Sequence, residues 1–362
     1  MGEGPSVVDL FCGGGGLSHG FQSAGFDVLA GVDDEPAFEE TYRANHEDAA
    51  FLSADLHERS GTEVLAELGL AADAVDGVVG GPPCQGFSLA QANPNPGDQR
   101  NFLVTRFIES VYEIDPDWFL MENVPTIATM EDGAVREYVV DQFEKIGYEV
   151  TFGEVNSVSF GVPQTRRRAF FVGCKDTTFE FPEGDHRESA AQTTLGGGTK
   201  SPPVTVGDAL SDLPALDPGE ERSDYATEPA TEYQRRCRGD AALTNHRAPN
   251  HGERVVGRIR RAGEGEKIPY DSWSQKRRLA WDDPAPTLLG GPRPTYHFAH
   301  PEQDRGLSVR ERARIQSFPD GFEFHGPVTK QRQMTGNAVP PLVARAIATA
   351  IREQVVAATR GV

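Results

Sequence analysis

Short apolar runs alternate with amphipathic stretches over the first 175 residues. Residues 7–11, 27–32, 76–80, 118–121, 149–155 and 169–172 are apolar runs of strand length. Between them, residues 18–24, 37–45, 62–68, 102–114 and 135–146 read as helices. Alternation of this kind marks βαβ units, so the pattern predicts an α/β fold with a parallel sheet covered on both faces. From about Phe181 the periodicity fails: residues 181–203 carry glycines, prolines and acids without an apolar stripe and read as a linker or long loop. Order returns in residues 309–316 and again in 341–356, where Leu342, Val343, Ala346, Ile347, Ala350 and Ile351 sit at helical spacing. This last helix is expected to pack back on the first domain. The expected division is therefore 1–180, a second domain over 181–325, and a C-terminal segment over 326–362.

Composition narrows the class. A chain of 362 residues can hold one large α/β core and a second, smaller domain. It has no run of 18 apolar residues and no signal-peptide pattern at Met1-Gly2-Glu3-Gly4-Pro5, which predicts a cytoplasmic protein without a membrane span. The four cysteines, Cys12, Cys84, Cys174 and Cys237, are far apart and form no CxxC pair, so neither a disulfide framework nor a zinc site is expected. His297 and His300 lie three apart, but with no third ligand nearby they are expected to be structural rather than metal-binding.

The net charge is −20, and the basic residues are nearly all arginine, as in proteins of salt-loving organisms; an ordinary acidic cytosolic enzyme is the alternative. Its distribution matters more. Residues 230–315 hold 17 Arg and Lys against 11 Asp and Glu, a local excess of cations in an otherwise acidic chain. That segment is expected to meet a polyanion.

Three sequence features carry the chemistry. The first apolar run ends in Asp9-Leu10-Phe11-Cys12 followed by Gly13 to Gly16 and Leu17, a strand, glycine turn and helix start that lets a ligand approach the backbone. Such a turn alone also serves many nucleotide enzymes. Asp33 ends the next strand, roughly 20 residues on, where an acid can accept from ribose hydroxyls. The run ending at Gly80 continues as Gly81-Pro82-Pro83-Cys84-Gln85-Gly86-Phe87-Ser88, a rigid, proline-framed segment ending on a thiol. The run over 118–121 delivers Glu122 at its C-terminal end. Ligands of open parallel sheets collect at such ends. Each residue also has a plainer reading: an inert buried cysteine, an acid capping a strand, arginines as surface charge at 166 and 168, a turn asparagine at 337.

Taken together these segments resemble the DNA cytosine C5-methyltransferase family. The likeness rests on six elements in order: Asp9 to Gly15, Gly81 to Gln85, Glu122-Asn123-Val124, Gln164-Thr165-Arg166-Arg167-Arg168, Arg310 to Pro319, and Gly336-Asn337-Ala338-Val339-Pro340. It covers nearly the whole chain except about 180–275. It implies a Rossmann-like S-adenosylmethionine-dependent methyltransferase sheet with a smaller target-recognition domain inserted before the C-terminal helix. S-adenosylmethionine is the implied cofactor, with no metal. Asp9, Phe11, Gly13, Gly15, Leu17, Asp33, Asp55, Pro82, Asn337 and Val339 would form its site, Phe11 stacking on the adenine, Asp55 reaching the adenine edge and Asn337 closing the far wall.

The implied reaction is methylation of C5 of a cytosine flipped out of double-stranded DNA. Cys84 would add to C6 as the nucleophile, Glu122 would hold ring N3 and the exocyclic amine, and Arg166 and Arg168 would line the pocket, the second of them contacting O2. Loop residues 88–100 would close over DNA from the catalytic side. Gln85 and Ser88 beside the nucleophile, with Arg235, Arg236, Arg258 and Arg260 in the basic segment, are the expected DNA contacts, most of the arginines on phosphates. A compact target of about four to six base pairs, a monomer and a functional pairing with a restriction endonuclease complete the expectation. A tRNA methyltransferase, a non-catalytic DNA-binding relative and a nicotinamide oxidoreductase are the alternatives; the first departs from Gln-Gly-Phe-Ser, the second loses the thiol or the acid, and the third has no use for Cys84 and Glu122.

Overall fold

A computed structural model describes residues 4–83, 103–189, 200–269, 276–290 and 296–360. The chain forms two compact units, one of residues 1–155, 167–183 and 343–362, the other of residues 156–166 and 184–342.

The first unit is built on a seven-stranded sheet. In chain order its strands are β1 (Ser6–Leu10), β2 (Asp27–Asp33), β3 (Ala50–Ser53), β4 (Gly77–Gly80), β5 (Trp118–Asn123) and β6 (Glu149–Asn156), and then, past a two-residue strand β7 (Gln164–Thr165) that belongs elsewhere, β8 (Arg167–Cys174). They lie in the order β3-β2-β1-β4-β5-β8-β6. β1, β4 and β5 are buried along almost their whole length, as strands covered on both faces must be. Between the strands run α1 (Gly16–Ser23), α2 (Glu39–Asn45), α3 (Gly61–Leu68), α4 (Leu103–Ile114) and α5 (Ala134–Lys145). Ser60 starts α3 with a reciprocal capping box to Glu63. The core joins Val8, Leu10, Val78, Phe107, Phe119, Met121 and Phe143, with the Phe119 and Phe143 rings stacked at 3.8 Å.

One expectation needs correction. The sheet is not wholly parallel: β8 runs antiparallel to β5, with Trp118 opposite Cys174 and Asn123 opposite Ala169. No crossover helix separates β6 from β8, and without one a strand returning to the same sheet reverses direction. The edge strand β3 was also absent from the expected set.

Glycine fixes the centre of the sheet. A Cβ on Gly77 would lie 2.1 Å from the Trp118 ring, and one on Gly80 would lie 2.1 Å from the Leu10 carbonyl oxygen. Any side chain there would push β4 away from its neighbours. The C-terminal residues close the same unit. In the helix Pro341–Ile351 the Ala344 Cβ is 2.3 Å from where a Cβ on Gly20 would be, and Arg352 donates to the Ala24 carbonyl at 2.5 Å.

The second unit has little regular structure. Its helices are α6 (Val206–Leu210), α7 (Glu232–Arg238), α8 (Glu253–Ile259), α9 (Val309–Ile315) and α10 (Val328–Asn337). Two-residue strands β9 (Arg277–Arg278), β10 (Ala285–Pro286) and β11 (Phe298–Ala299) pair in parallel, β10 with β7 and β11 with β9. Residues 326–342, grouped by the sequence with the C-terminal segment, fall within this unit up to Leu342, since α10 packs against α9.

Arginine supplies much of the cohesion. Arg314, fully buried, pairs with Asp320 through Nε at 2.9 Å and Nη2 at 2.6 Å and with Asp212 at 2.5 Å. Arg305 grips Glu311 through two bonds, at 2.6 and 2.8 Å, and holds that carboxyl far below the usual carboxylate range despite its burial. Arg278 donates to the carbonyls of Ile259, Ala262, His300, Pro301 and Gln303, and Arg310 to those of Thr244, Pro319 and Phe322. The cation excess of residues 230–315 is therefore partly internal. Arg238 belongs to this group as well: it pairs with Asp212 at 2.6 Å and lies 3.8 Å over the Tyr225 ring.

Breaking such a buried pair leaves uncompensated charge. Arg314→Leu removes the two-pronged partner of Asp320 and one of the two arginines on Asp212, and is expected to cost about 3–5 kcal/mol in urea unfolding. A loss below about 1 kcal/mol, the range of an exposed pair, would contradict this account of the unit.

Candidate active site

The residues of interest in the first unit gather along the C-terminal edge of its parallel strands. β1 leaves the sheet through Phe11, whose φ of +62° is unusual for an aromatic, and continues through Gly13 (φ +56°) and Gly15 (φ +87°). The turn is closed by Cys12 N–H donating to the Val32 carbonyl at 3.0 Å and Gly15 N–H to the Cys12 carbonyl at 2.9 Å. A Cβ on Gly15 would come within 2.2 Å of His46 Nε2, so both conformation and space demand glycine. Leu17 is buried in the first turn of α1.

Two acids brace this turn. Asp33, at the end of β2, accepts from the backbone N–H of Gly13 at 2.9 Å and of Glu35 at 3.0 Å. Burial pushes its carboxyl up to about 6. Asp9 lies beneath, fully buried, accepting from the Ser18 hydroxyl at 2.6 Å, and burial pushes it up to about 7. Because the Ser18 proton goes to Asp9, the 2.9 Å contact between Ser18 and Tyr42 is a donation from the Tyr42 phenol. Asp55, two residues past β3, is exposed and accepts from His57 N–H at 2.8 Å.

The next two strand ends carry the remaining groups. Glu122 is nine-tenths buried, and its Oε1 receives Arg168 Nε at 2.8 Å. Its Oε2 lies 3.0 Å from where a Cβ on Gly81 would be, so the acid faces the stretch of chain leaving β4. Pro82, buried, accepts at its carbonyl from Asn123 Nδ2 at 3.0 Å. Cys84, Gln85 and Ser88, and the loop 88–100, lie outside the described residues. The other three cysteines are buried; burial raises the Cys12 thiol well above its ordinary range and pushes Cys174 and Cys237 up to about 12.

Arg168 lies in the first unit and the remaining residues in the second. Arg166 and Arg168 do not share a strand: β7 ends at Thr165 and β8 begins at Arg167. Arg166 is fully buried and donates to the carbonyls of Leu288 at 3.0 Å and Asn337 at 3.3 Å. Gln164 beside it accepts from Leu288 N–H and donates to Gln316 Oε1, each at 2.7 Å, fastening β7 to the end of α9. Asn337 is exposed and Val339 buried. Close packing of Gly336 on Leu289, whose carbonyl is 2.4 Å from a Cβ built there, sets the backbone of this stretch.

Of the arginines expected on DNA, Arg235 and Arg260 have side chains 52% and 70% exposed and pair with Glu232 and Asp304; Arg236 is exposed and Arg258 half-buried. None of them lines a groove of about 710 Å³ in this unit, whose walls include Thr165, Lys267, Arg277, Thr287 and His297. His300 has a structural role, its Nδ1 accepting from Glu302 and Gln303 N–H. No cluster of metal-binding side chains occurs among the described residues, and no described helix is long and apolar enough to cross a membrane.

Sequence reasoning missed Ser18, Tyr42 and His46, which support the glycine turn, and gave Asn123 no task of its own. A signal existed only for Asn123, which stands beside the acid; the others act across contacts that no local pattern announces.

The family described as C-5 cytosine-specific DNA methylase matches residues 6–353. The type II methyltransferase M1.HphI of Haemophilus parahaemolyticus is 37% identical, the match covering 96% of this chain and 86% of that protein. M.DdeI of Desulfomicrobium norvegicum, another type II methyltransferase, is 32% identical over 96% of this chain and 88% of its own. Among solved structures, a prophage-encoded protein of E. coli described as a DNA modification methyltransferase superposes with a TM-score of 0.77 at 27% identity, covering 97% of this chain and 99% of that one. On the matched length and these relatives, the chain belongs to the C-5 cytosine-specific DNA methylase family and is a DNA cytosine-5 methyltransferase.

Proposed function

We propose that this enzyme methylates C5 of a flipped-out cytosine in a short, specific sequence of double-stranded DNA through a transient bond between Cys84 and C6, with S-adenosylmethionine as methyl donor. The carrying observation is the register of β4 and β5: Gly80 lies opposite Met121, so the chain leaves for Cys84 beside the carboxyl of Glu122. Covalent geometry keeps the Cys84 Cα within about 7 Å of the Pro82 Cα. The three other cysteines are buried with raised thiol pKa values, and only a thiolate is nucleophilic.

The strand-end acids and the glycine turn fit the cofactor. Phe11, Asp33 and Asp55 follow the adjacent parallel strands β1, β2 and β3, giving an aromatic face and two carboxyl groups in a row beside a turn that brings backbone close. S-adenosylmethionine held there supplies an electrophilic methyl group. Asp9, Gly13, Gly15 and Leu17 shape the floor and Pro82 borders it; Asn337 and Val339 are the remaining cofactor residues that the family resemblance implies.

The protein's own steps follow from ring chemistry. C5 of cytosine is a poor nucleophile until the Cys84 thiolate adds to C6, which places electron density on C5 and N3. Glu122, oriented by Arg168, shares a proton with N3, which stabilises that density, and accepts from the exocyclic amine; Arg168 also reaches O2, while Arg166 acts through the Leu288 and Asn337 backbone it holds. Once C5 carries the methyl group, a base removes the C5 proton and the returning electrons expel the thiolate. Gln85 and Ser88 contact DNA beside the nucleophile, and exposed Arg235, Arg236 and Arg260 with half-buried Arg258 contact phosphates. The recognition region corresponds to residues 181–325. The enzyme acts as a monomer in the cytoplasm, paired functionally with a restriction endonuclease, as the type II names of its relatives suggest.

Bisulfite sequencing of DNA from cells expressing the chain is expected to reveal one methylated short context, absent with Cys84→Ser; methylation unchanged by that substitution would refute the nucleophile. A second outcome concerns cofactor binding. Asp33 is raised to about 6 and, when ionised, accepts from hydroxyls more strongly, so S-adenosylmethionine affinity measured by calorimetry should rise about tenfold from pH 5 to pH 7. Asp33→Asn should flatten that slope, and a slope unchanged in the variant would remove Asp33 from the site. Protein stability should move the opposite way. Asp9 and Asp33 in the folded chain hold protons that the unfolded chain releases, so their joint contribution falls as pH rises from about 4 to 7.

A further inference from the structure

We propose that Asn123 is a positioning residue for the nucleophile: its carboxamide clamps the Pro82 carbonyl and so sets how Cys84 is presented to the ring. The inference rests on the assignment of Cys84 above. Asn123 is 97% buried at the end of β5. Its Nδ2 donates to the Pro82 carbonyl at 3.0 Å, and its Oδ1 accepts from Val124 N–H at 2.9 Å. A carbonyl only accepts and an amide N–H only donates, so the orientation of the side chain is unambiguous.

The anchored peptide is an effective place to hold this loop. Neither Pro82 nor Pro83 has an N–H, so their carbonyls are the only backbone groups by which the pair can be fastened. Once the Pro82 carbonyl is held, the following peptide bond is planar and the Pro83 φ is locked by its ring. One soft torsion, the Pro83 ψ, then separates the clamp from the Cys84 amide. Successive strand residues leave opposite faces, so Glu122 and Asn123 do not compete for space. One dipeptide thus holds both partners of the reaction: Glu122 as the acid fixed by Arg168, and Asn123 as the tether of the thiol-bearing segment.

The test uses the full chain with Asn123→Ala and Asn123→Asp, a duplex of the methylated context, and the same duplex carrying 5-fluorocytosine, which retains the covalent bond because no C5 proton can leave. Adduct formation and single-turnover methyl transfer should slow about 100-fold in Asn123→Ala, the cost of an ångström-scale misplacement. Duplex and S-adenosylmethionine affinities should stay within about twofold. Asn123→Asp should be slower than Ala at neutral pH, because a carboxylate oxygen then faces the Pro82 carbonyl. Its rate relative to wild type should recover as pH falls, because a protonated carboxyl can donate in place of the amide. A side chain needed only for the fold would lower the duplex and S-adenosylmethionine affinities together with the rate. Adducts formed at the wild-type rate by Asn123→Ala, or an Asp-to-wild-type ratio independent of pH, overturn the proposal; should the Ala variant not fold, that ratio decides alone. Absence of an adduct with the wild-type protein would instead remove the Cys84 assignment beneath it.

Discussion

Parallel pairing of β4 with β5 is the constraint on which the site depends. The pairing sets Val79 opposite Leu120 and Gly80 opposite Met121, so the two chains leave the sheet side by side, one towards Cys84 and the other carrying Glu122 and Asn123. Two glycines make the approach possible. Gly77 leaves room for the Trp118 ring and Gly80 for the Leu10 carbonyl, so β4 lies flat between β1 and β5. The same edge, continued through β1, β2 and β3, presents Phe11, Asp33 and Asp55. A single sheet edge therefore carries the residues proposed for the cofactor together with Glu122, the proposed partner of the reacting ring.

The two units hold together by different physics. In the first, phenylalanine, valine and leucine fill a continuous core between helices and sheet, and burial of apolar surface is the dominant favourable contribution. In the second, apolar clusters are smaller and the irregular chain leaves many carbonyls to be satisfied. Buried arginines meet that need. Each guanidinium has five N–H donors in a rigid fork, and Arg278 and Arg310 use theirs on backbone oxygens from several segments. Arg310, Arg312 and Arg314 of one short helix are all buried, each bonded to a different part of the unit.

This contrast explains what was legible in the sequence. The helices and all but one of the strands of the first unit announced themselves through periodic apolar positions, and the site motifs stood at strand ends as expected. β3 was missed because Ala50-Phe51-Leu52-Ser53 is too short to show a period. The reversal of β8 was missed because direction is set by the connection, not by composition. In the second unit the same letters misled. Arginines in 230–315 counted as a surface for a polyanion, yet Arg238, Arg278, Arg305, Arg310, Arg312 and Arg314 are buried or mostly enclosed within the protein. Nor could the bond from Asn123 to Pro82 be read, since its partners are 41 residues apart.

On the proposed mechanism Cys84 and Glu122 act on one ring, brought together by adjacent strand ends. A crystal structure of the chain trapped on a 5-fluorocytosine duplex measures this directly. The predicted result is a bond from the Cys84 sulfur to C6 with a Glu122 oxygen at hydrogen-bond distance, about 2.6–3.2 Å, from N3. A trapped base bonded to the sulfur with Glu122 remote from the ring would contradict it.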